Sequence, residues 1–394
     1  MRIENLRTEE LGERRRVAAD IIWETAKTSA QVLYFEAPYP FAEDLQPSAN
    51  AFVLASLPFA VWLGEKRIFV QGSICPRLYS GLDAAMAIYQ LWYDHCQPLT
   101  IEPQDGLIPS YPRTTPYTGC FLSGGVDGLT TLRNNRLNYP LEHPESIREC
   151  LLFFGVNEYD FNGSTPVPER LSAFEIVTER LTNLGKTENF QLIPIHVNAR
   201  SLCPSYECFT SIGFSAANIA VAHAFNHRFS KILFASDGVG LEELITGGNP
   251  LLINNFSSAG IQIQVEEYGL TRIQKLKILA QWQPGLNLMQ PCHQIKVLPK
   301  EKINCGYCEK CVRTMLGLLI LSKLAESEAF VENDVTPKMI NNIPVSTEVK
   351  ANFLSSLIDP LENIGRQDLV KAIKFKILKF KIKQYLKKLN FSFT

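Results

Sequence analysis

The sequence predicts an α/β fold built around a parallel β-sheet. Short apolar segments recur through the middle of the chain and alternate with stretches of helical character, which is the pattern of consecutive β-α-β units. A Ser-Gly-Gly-Val-Asp string directly follows one of these segments, and adjacent glycines between a strand and a helix are typical of an anion-binding turn. Further along, four closely spaced cysteines predict a metal site.

The composition is that of a globular protein with one basic segment. The chain has 394 residues, of which 46% are hydrophobic and 20% charged, and its net charge of −1 gives no general reason to expect nucleic acid or a membrane as the main partner. The N-terminus lacks the apolar core of a signal peptide, and no stretch approaches the ~20 apolar residues that cross a bilayer. We therefore expect a cytoplasmic protein, in which the cysteines do not form a disulfide framework.

Residues 1–112 form the first predicted domain, a small α+β accessory domain. In this region polar stretches of helical character alternate with short apolar segments. The clearest elements are a buried segment at 51–63, a strand at 66–71 and an amphipathic helix at 82–96. A stretch rich in Pro, Gly, Ser and Thr follows and marks the predicted boundary.

Residues 116–322 form the second predicted domain, which carries the parallel sheet. Strands are predicted at 120–122, 149–156, 191–197 and 231–236, with helices from about Leu129, at 168–184 and at 216–229. Right-handed crossovers would bring the carboxyl ends of these strands to one edge, where open α/β sheets bind ligands. Residues 323–394 complete the chain as a helical extension with a basic tail.

The glycine loop is the leading candidate for a ligand site. It passes through Ser123, Gly124 and Gly125 into a helix, whose N-terminus adds partial positive charge for a bound phosphate. Ser123 could donate a hydrogen bond to a phosphate oxygen, and Asp127 could hold a magnesium ion on the same phosphates. The simpler alternative is a βα turn that uses glycine for steric relief. The string is neither of the two common glycine motifs of kinases and dehydrogenases, so both classes are disfavoured.

The loop reads SGGVDG from Ser123 to Gly128 and resembles the SGG-x-D-S signature of the PP-loop ATP pyrophosphatase superfamily. This resemblance implies a Rossmann-like PP-loop domain that splits ATP into AMP and pyrophosphate, with Ser123 and Asp127 in catalytic roles. Gly128 replaces the final serine of the signature, so one phosphate-binding hydroxyl is missing. The resemblance implies ATP contacts from Leu122, Ser123, Gly124, Gly125, Val126, Asp127, Gly155 and Val156.

The cysteine spacing C-x12-C-x2-C-x2-C favours a structural zinc site, because four thiolates at such intervals can reach one tetrahedral ion. An iron–sulfur cluster and redox-active cysteines are the alternatives. The element at 292–313 is similar to the zinc element of 7-cyano-7-deazaguanine synthases, with Arg313 after the last cysteine. The similarity spans about residues 118–320 and leaves the first hundred residues without a counterpart. The predicted ligands are Cys292, Cys305, Cys308 and Cys311.

Two polar residues at predicted strand ends are candidate substrate contacts. Asn157 follows the strand at 149–156, and Asp237 follows the strand at 231–236. A solvated loop is an equal alternative for Asn157, and an ordinary Asp-Gly turn is the alternative for Asp237. His223 and His227 lie four residues apart on a predicted helix and could bind a metal, although a core or exposed position is favoured.

These observations and the resemblance predict a ligase or amidating enzyme that uses ATP, Mg²⁺ and Zn²⁺. It would adenylate a small molecule or a modified base, and then a nitrogen or sulfur nucleophile would displace AMP. The alternatives are a tRNA-thiolating enzyme of the same superfamily and a degenerate nucleotide-binding or scaffold protein.

The C-terminal tail is a predicted interaction surface. Eight lysines and no acidic residue lie between Lys371 and Lys388, with Ile, Phe and Leu among them. This pattern suits an acidic partner, RNA or an anionic membrane surface, and a solvated helix is the alternative. A homodimer is a further assembly that the chain could form.

Overall fold

The computed structural model describes residues 1–111, 117–157, 159–163, 165–236, 247–292 and 303–391. Two compact units make up the chain. The first unit consists of residues 1–123 and 131–269, and the second consists of residues 124–130 and 270–394. The first unit contains a ten-stranded sheet, whereas the described part of the second unit is helical.

The ten-stranded sheet is mostly parallel. The strands of the chain are β1 (Arg2–Leu11), β2 (Arg14–Ile22), β3 (Gln31–Pro38), β4 (Arg67–Val70), β5 (Thr100–Pro103), β6 (Thr118–Phe121), β7 (Ile147–Phe154), β8 (Phe161–Asn162), β9 (Thr165–Pro166), β10 (Gln191–Val197), β11 (Lys231–Ala235) and β12 (Gln262–Glu266). The sheet order is β12-β11-β6-β7-β10-β3-β2-β1-β4-β5, and β8 pairs separately with β9. This architecture confirms the predicted α/β class and is compatible with a Rossmann-like fold.

Strand direction divides the sheet into three zones. The strands β12, β11, β6, β7 and β10 are all parallel. Antiparallel pairings then lead from β10 through β3 and β2 to β1, after which β4 and β5 are again parallel to β1. Strands from both sides of the predicted boundary near residue 112 therefore belong to one sheet.

The first 38 residues contain three strands, so the helical character predicted for these polar stretches is wrong. Gly12 has a φ of +67° and turns β1 into β2, which places Glu9 opposite Arg16 and Glu10 opposite Arg15. The side chain of Arg15 donates to Glu10 over 2.8 Å. Opposite charges therefore face each other across the hairpin of β1 and β2. Such cross-strand pairs stabilise this end of the hairpin, where apolar and polar residues do not alternate.

The helices at 49–92 and 206–253 pack with the sheet strands around one apolar core. Helix α1 (Ala49–Trp62) is buried along almost its whole length, as expected for a helix that is apolar on all sides. Phe52 of this helix stacks on Phe35 of β3 with ring centroids 5.4 Å apart. The helices are α1 (Ala49–Trp62), α2 (Pro76–Trp92), α3 (Val126–Asn138), α4 (Pro168–Glu188), α5 (Tyr206–Cys208), α6 (Phe214–Ala224) and α7 (Pro250–Ile253).

The helices after residue 269 belong to the second unit. They are α8 (Arg272–Leu279), α9 (Gln283–Leu288), α10 (Glu309–Ile320), α11 (Pro337–Asn342), α12 (Glu348–Ser356), α13 (Ile358–Asn363) and α14 (Gln367–Phe391). Helix α14 carries the basic tail and packs on α11, α12 and α13. Within the described residues, no helix combines the length and the apolar composition that a membrane crossing needs.

Candidate functional site

The predicted glycine loop connects β6 to α3. Leu122 is buried, and its amide donates to the Leu151 carbonyl of β7 over 2.9 Å. Ser123 is exposed. Gly124 adopts a φ of +77°, a conformation that favours glycine, and helix α3 begins two residues later at Val126. The loop thus has the strand–turn–helix geometry that the sequence predicts.

Asp127 lies in the first turn of α3 and forms two ion pairs. Arg272 Nη1 donates to Asp127 Oδ2 over 2.9 Å, and Lys275 Nζ donates to Asp127 Oδ1 over the same distance. The Lys275 side chain is fully buried, that of Arg272 is 11% exposed and that of Asp127 is 28% exposed. The sequence reasoning missed both cations, because neither is near Asp127 along the chain.

Helix capping explains how the two cations reach the same carboxylate. Thr271 forms a capping box with Gln274, so that α8 begins at Arg272. Arg272 and Lys275 are then three residues apart on one helix face. The string TRIQKLK was the sequence signal that could have revealed these two cations. A capping box fixes where the helix begins, and the helix start fixes which basic residues share a face.

The electrostatics keep the carboxylate of Asp127 ionised. Burial acts to raise the pKa of Asp127, but the charges of Arg272 and Lys275 outweigh it and hold that pKa below its usual value. Burial lowers the pKa of Arg272 while Asp127 opposes the change, and a guanidinium remains protonated in proteins. The site therefore contains two fixed cations and one fixed anion.

Two arginines of the second unit have buried donors that find no acceptor among the described residues. These donors are the Nε atoms of Arg272 and Arg313. Arg313 also lies 3.6 Å from Glu309 and over the ring of Phe353. A buried polar group without a partner costs about 1–3 kcal/mol, and more when the group is charged. An anionic ligand is the chemistry that would satisfy such donors.

The four predicted metal ligands come together in the second unit. Their Sγ atoms all lie within 4.8 Å of one another, and each residue is buried. Cys308 Sγ lies 3.4 Å from Cys311 Sγ and 4.0 Å from Cys292 Sγ. Four sulfurs at zinc's usual bond length of about 2.3 Å would be about 3.8 Å apart, so the cluster fits a metal ion such as zinc.

The backbone around the cysteines supports this arrangement. Gly306 adopts a φ of +76° between two of the ligands, and the Cys308 amide donates to Cys305 Sγ over 3.3 Å. Asn304 is buried, accepts a hydrogen bond from the Cys292 amide over 3.2 Å, and donates to the carbonyl of Met289 over 2.9 Å. The distant first ligand is thereby joined to the cluster of the other three.

Two connections join the cysteine cluster to the glycine loop and to the cations beside Asp127. The amide of Gln290, two residues before the first cysteine, donates to the Gly124 carbonyl over 2.7 Å. Helix α10 carries both Cys311 and Arg313, and its Gly317 approaches α8 so closely that a Cβ there would lie 2.4 Å from Leu276 Cδ1. The cysteine cluster, the glycine turn and the helices α8 and α10 therefore pack together within the second unit.

The other predicted ATP contacts lie in the first unit, after β7. Gly155 has a φ of +100°, and a Cβ there would lie 1.7 Å from the Val197 carbonyl oxygen. Val156 is half-buried and Asn157 is exposed. Asp160 holds this turn, because its Oδ2 accepts from the Gly155 amide over 2.9 Å and from the Asn157 amide over 3.0 Å. These residues lie at the carboxyl end of a parallel strand, as the sequence predicts, and their contact with ATP or substrate stays a prediction.

The remaining candidates are Asp237, His223 and His227. Asp237 lies outside the described residues. His223 is buried, its Nε2 lies 2.8 Å from the Phe256 carbonyl, and burial lowers its pKa to about 4. His227 is exposed. The favoured assignment of these histidines to core and surface positions therefore holds.

A cavity of about 730 Å³ opens at the amino ends of β7 and β10. Its lining includes Arg148, Lys186 and Gln191. Among the residues that the structure describes, none of those predicted to contact ATP, metal or substrate lines it.

Comparison with known proteins gives no further assignment. No protein-family model matches the chain, and neither the curated proteins nor the solved structures contain a match.

Proposed function

We propose that the chain is an ATP-binding, adenylating enzyme of the PP-loop ATP pyrophosphatase superfamily. It would form AMP and pyrophosphate while ligating or amidating a small molecule or a modified base. One observation carries the proposal, namely that Asp127, Arg272 and Lys275 form a charged cluster beside the left-handed turn at Gly124. A glycine turn, a helix N-terminus and two fixed cations together suit the phosphates of a nucleotide.

The glycine loop and the two cations of α8 would have different roles in phosphate binding. The amides of Gly124 and Gly125 and the hydroxyl of Ser123 would hold the pyrophosphate portion of ATP. Arg272 and Lys275 would neutralise its charge, which places the α-phosphate for attack by a substrate oxygen. An oxygen–phosphorus bond forms to the substrate, and pyrophosphate leaves with the electron pair of the bond that breaks. The two cations stabilise the charge that grows on this leaving group.

The low pKa of Asp127 restricts its role. A carboxylate that stays ionised does not serve as a general acid. It would orient Arg272 and Lys275, and it is the residue that would hold Mg²⁺ on the phosphates, sharing its oxygens with these cations. A zinc ion in the cysteine cluster would brace the loop through Gln290 and would have no part in the bond changes.

The two ion pairs of Asp127 also favour a second candidate function, which is nucleotide binding without turnover. Both carboxylate oxygens are occupied by protein cations, and Gly128 replaces a phosphate-binding hydroxyl of the superfamily signature. Such a protein would bind ATP but release no pyrophosphate.

Equilibrium titration with ATP and magnesium tests nucleotide binding directly. We expect Arg272→Gln to weaken ATP binding about tenfold or more, because a charge-assisted hydrogen bond is lost. Lys277→Gln is the matched control, since Lys277 is an exposed cation of the same helix. Equal affinities in the two variants, or no binding by the wild-type chain, would overturn the proposal.

Pyrophosphate release separates the two candidate functions. The wild-type chain is incubated with ATP, magnesium and a panel of carboxylates and nucleobases, with Asp127→Ala as the inactive control. Release above the control supports an adenylating enzyme. ATP binding without release from any member of the panel supports the second candidate.

A further inference from the structure

Helix α14 presents an apolar stripe to solvent along its middle part. Phe375, Leu378, Ile382 and Tyr385 are each more than half exposed. Their spacing of three, four and three residues places them along one face of a helix. The side chains that α14 buries against its neighbours, among them Ile373 and Phe380, point elsewhere. The helix therefore has two apolar faces, of which one is covered within the chain.

Lysines flank the exposed stripe on both sides. Lys381 lies on one side, and Lys379 and Lys383 lie on the other, as the helical period of 3.6 residues requires. All three are exposed, and no acidic side chain that the structure describes forms an ion pair with them. Lys374, one turn earlier, pairs with Glu362 over 2.9 Å. No acidic residue occurs after Asp368, although the whole chain has a net charge of −1.

We propose that this face of α14 docks on an anionic phospholipid bilayer. A helix whose apolar stripe is bordered by lysines lies in the plane of a membrane interface, where the stripe enters the acyl boundary and the ammonium groups contact lipid phosphates. Phe375 and Tyr385 add aromatic side chains, which suit the interface. The chain would be held at the surface of the membrane and would not cross it.

Two other occupants fit this face less well. RNA would engage the lysines but would leave Leu378 and Ile382 exposed to water. A second copy of the chain would cover the stripe but would bring the bordering lysines of the two helices together, which is unfavourable at close range. A bilayer satisfies both the charge and the apolar surface.

Vesicle flotation with the full chain tests the proposal. We expect the wild-type chain to float with vesicles in which a third of the lipid is phosphatidylglycerol, and to stay in solution with phosphatidylcholine alone. Lys379→Gln/Lys381→Gln/Lys383→Gln should weaken partitioning about a hundredfold, because each basic residue near such a surface contributes about a factor of five. Leu378→Ser/Ile382→Ser should also abolish flotation.

Two control variants change exposed residues elsewhere. Lys27→Gln/Lys66→Gln/Lys338→Gln removes the same charge, and Leu91→Ser/Val331→Ser removes the same kind of apolar surface. Both should float like the wild type, with unchanged circular dichroism in all variants. No flotation by the wild type, or equal losses in the control and tail variants, would overturn the proposal. Retention of flotation by Leu378→Ser/Ile382→Ser would do the same and would point to a purely ionic partner such as RNA.

Discussion

Lys275 Nζ donates a hydrogen bond to Asp127 Oδ1 over 2.9 Å, although the two residues are 148 positions apart in the sequence. The lysine is fully buried, so its ammonium depends on protein partners for its charge to be tolerated. The bond joins the first turn of α3 to the first turn of α8.

A double-mutant cycle on this pair measures the interaction. Asp127→Asn leaves a buried ammonium facing a neutral amide, and Lys275→Met removes one partner of the carboxylate. We expect each change to lower the free energy of unfolding in urea by about 1–3 kcal/mol. The double variant should lose less than the sum of the two, by about 1–3 kcal/mol. Additive losses would show that the two groups do not interact.

Acid should separate the wild type from Asp127→Asn. The pKa of Asp127 is held below its usual value in the folded chain, where burial opposes the lowering and Arg272 and Lys275 cause it. Its contribution to stability is therefore fully present above the unfolded pKa and is lost as the pH falls through the folded one. Unfolding measured from about pH 5 down to about pH 2 should give a steeper loss for the wild type than for the variant. Parallel curves would contradict this expectation, since the other carboxyl groups are common to both proteins.

Removal of the metal should weaken nucleotide binding as well as stability. The segment that carries Cys292 also positions Gly124 through the Gln290 amide, and α10 begins among the other ligands. We expect Cys308→Ser to lose bound zinc, measured by elemental analysis, and to bind ATP more weakly than the wild type. Cys203→Ser is the control, because Cys203 lies outside the cluster. Retention of full ATP affinity by metal-free Cys308→Ser would refute the connection.

Two glycines with positive φ should respond differently to alanine. Gly155 has a φ of +100°, and a Cβ there would lie 1.7 Å from the Val197 carbonyl oxygen. Gly163 has a φ of +62° but has no atom within 4 Å of that position. We expect Gly163→Ala to lower stability by roughly 1–2 kcal/mol, the usual conformational penalty, and Gly155→Ala to lower it by more than about 4 kcal/mol because backbone must move. Thermal unfolding of the two variants provides the comparison, and similar losses would contradict the clash.

Local sequence pattern was sufficient for four neighbouring parallel strands, β6, β7, β10 and β11, and for the convergence of the four cysteines, but it missed the parallel strand β12. The apolar strands at 191–197 and 231–236 correspond to β10 and β11 almost residue for residue. The loop geometry at Gly124 and the convergence of the four cysteines also follow from short motifs, whose spacing already limits the backbone conformation.

Contacts between segments that are far apart in the sequence could not be predicted from local sequence pattern. Strand β1 reads as polar because its stabilising partners are the arginines of β2, and that pairing becomes visible only when the hairpin is formed. Arg272 and Lys275 reach Asp127 because a capping box fixes where α8 begins. The sheet likewise extends across the Pro-rich stretch that predicts a domain boundary, because β3 pairs with β10.

The order of strands in the sheet also bears on how the protein behaves at high concentration. Its two outermost strands, β12 and β5, have five and four residues, and both contain glutamate. Strand β5 ends in Pro103, which offers no backbone donor, and its Glu102 is paired with Arg67. Short, charged edges resist the edge-to-edge strand addition through which large sheets aggregate. The ten-stranded sheet is thus protected from becoming a template for further chains.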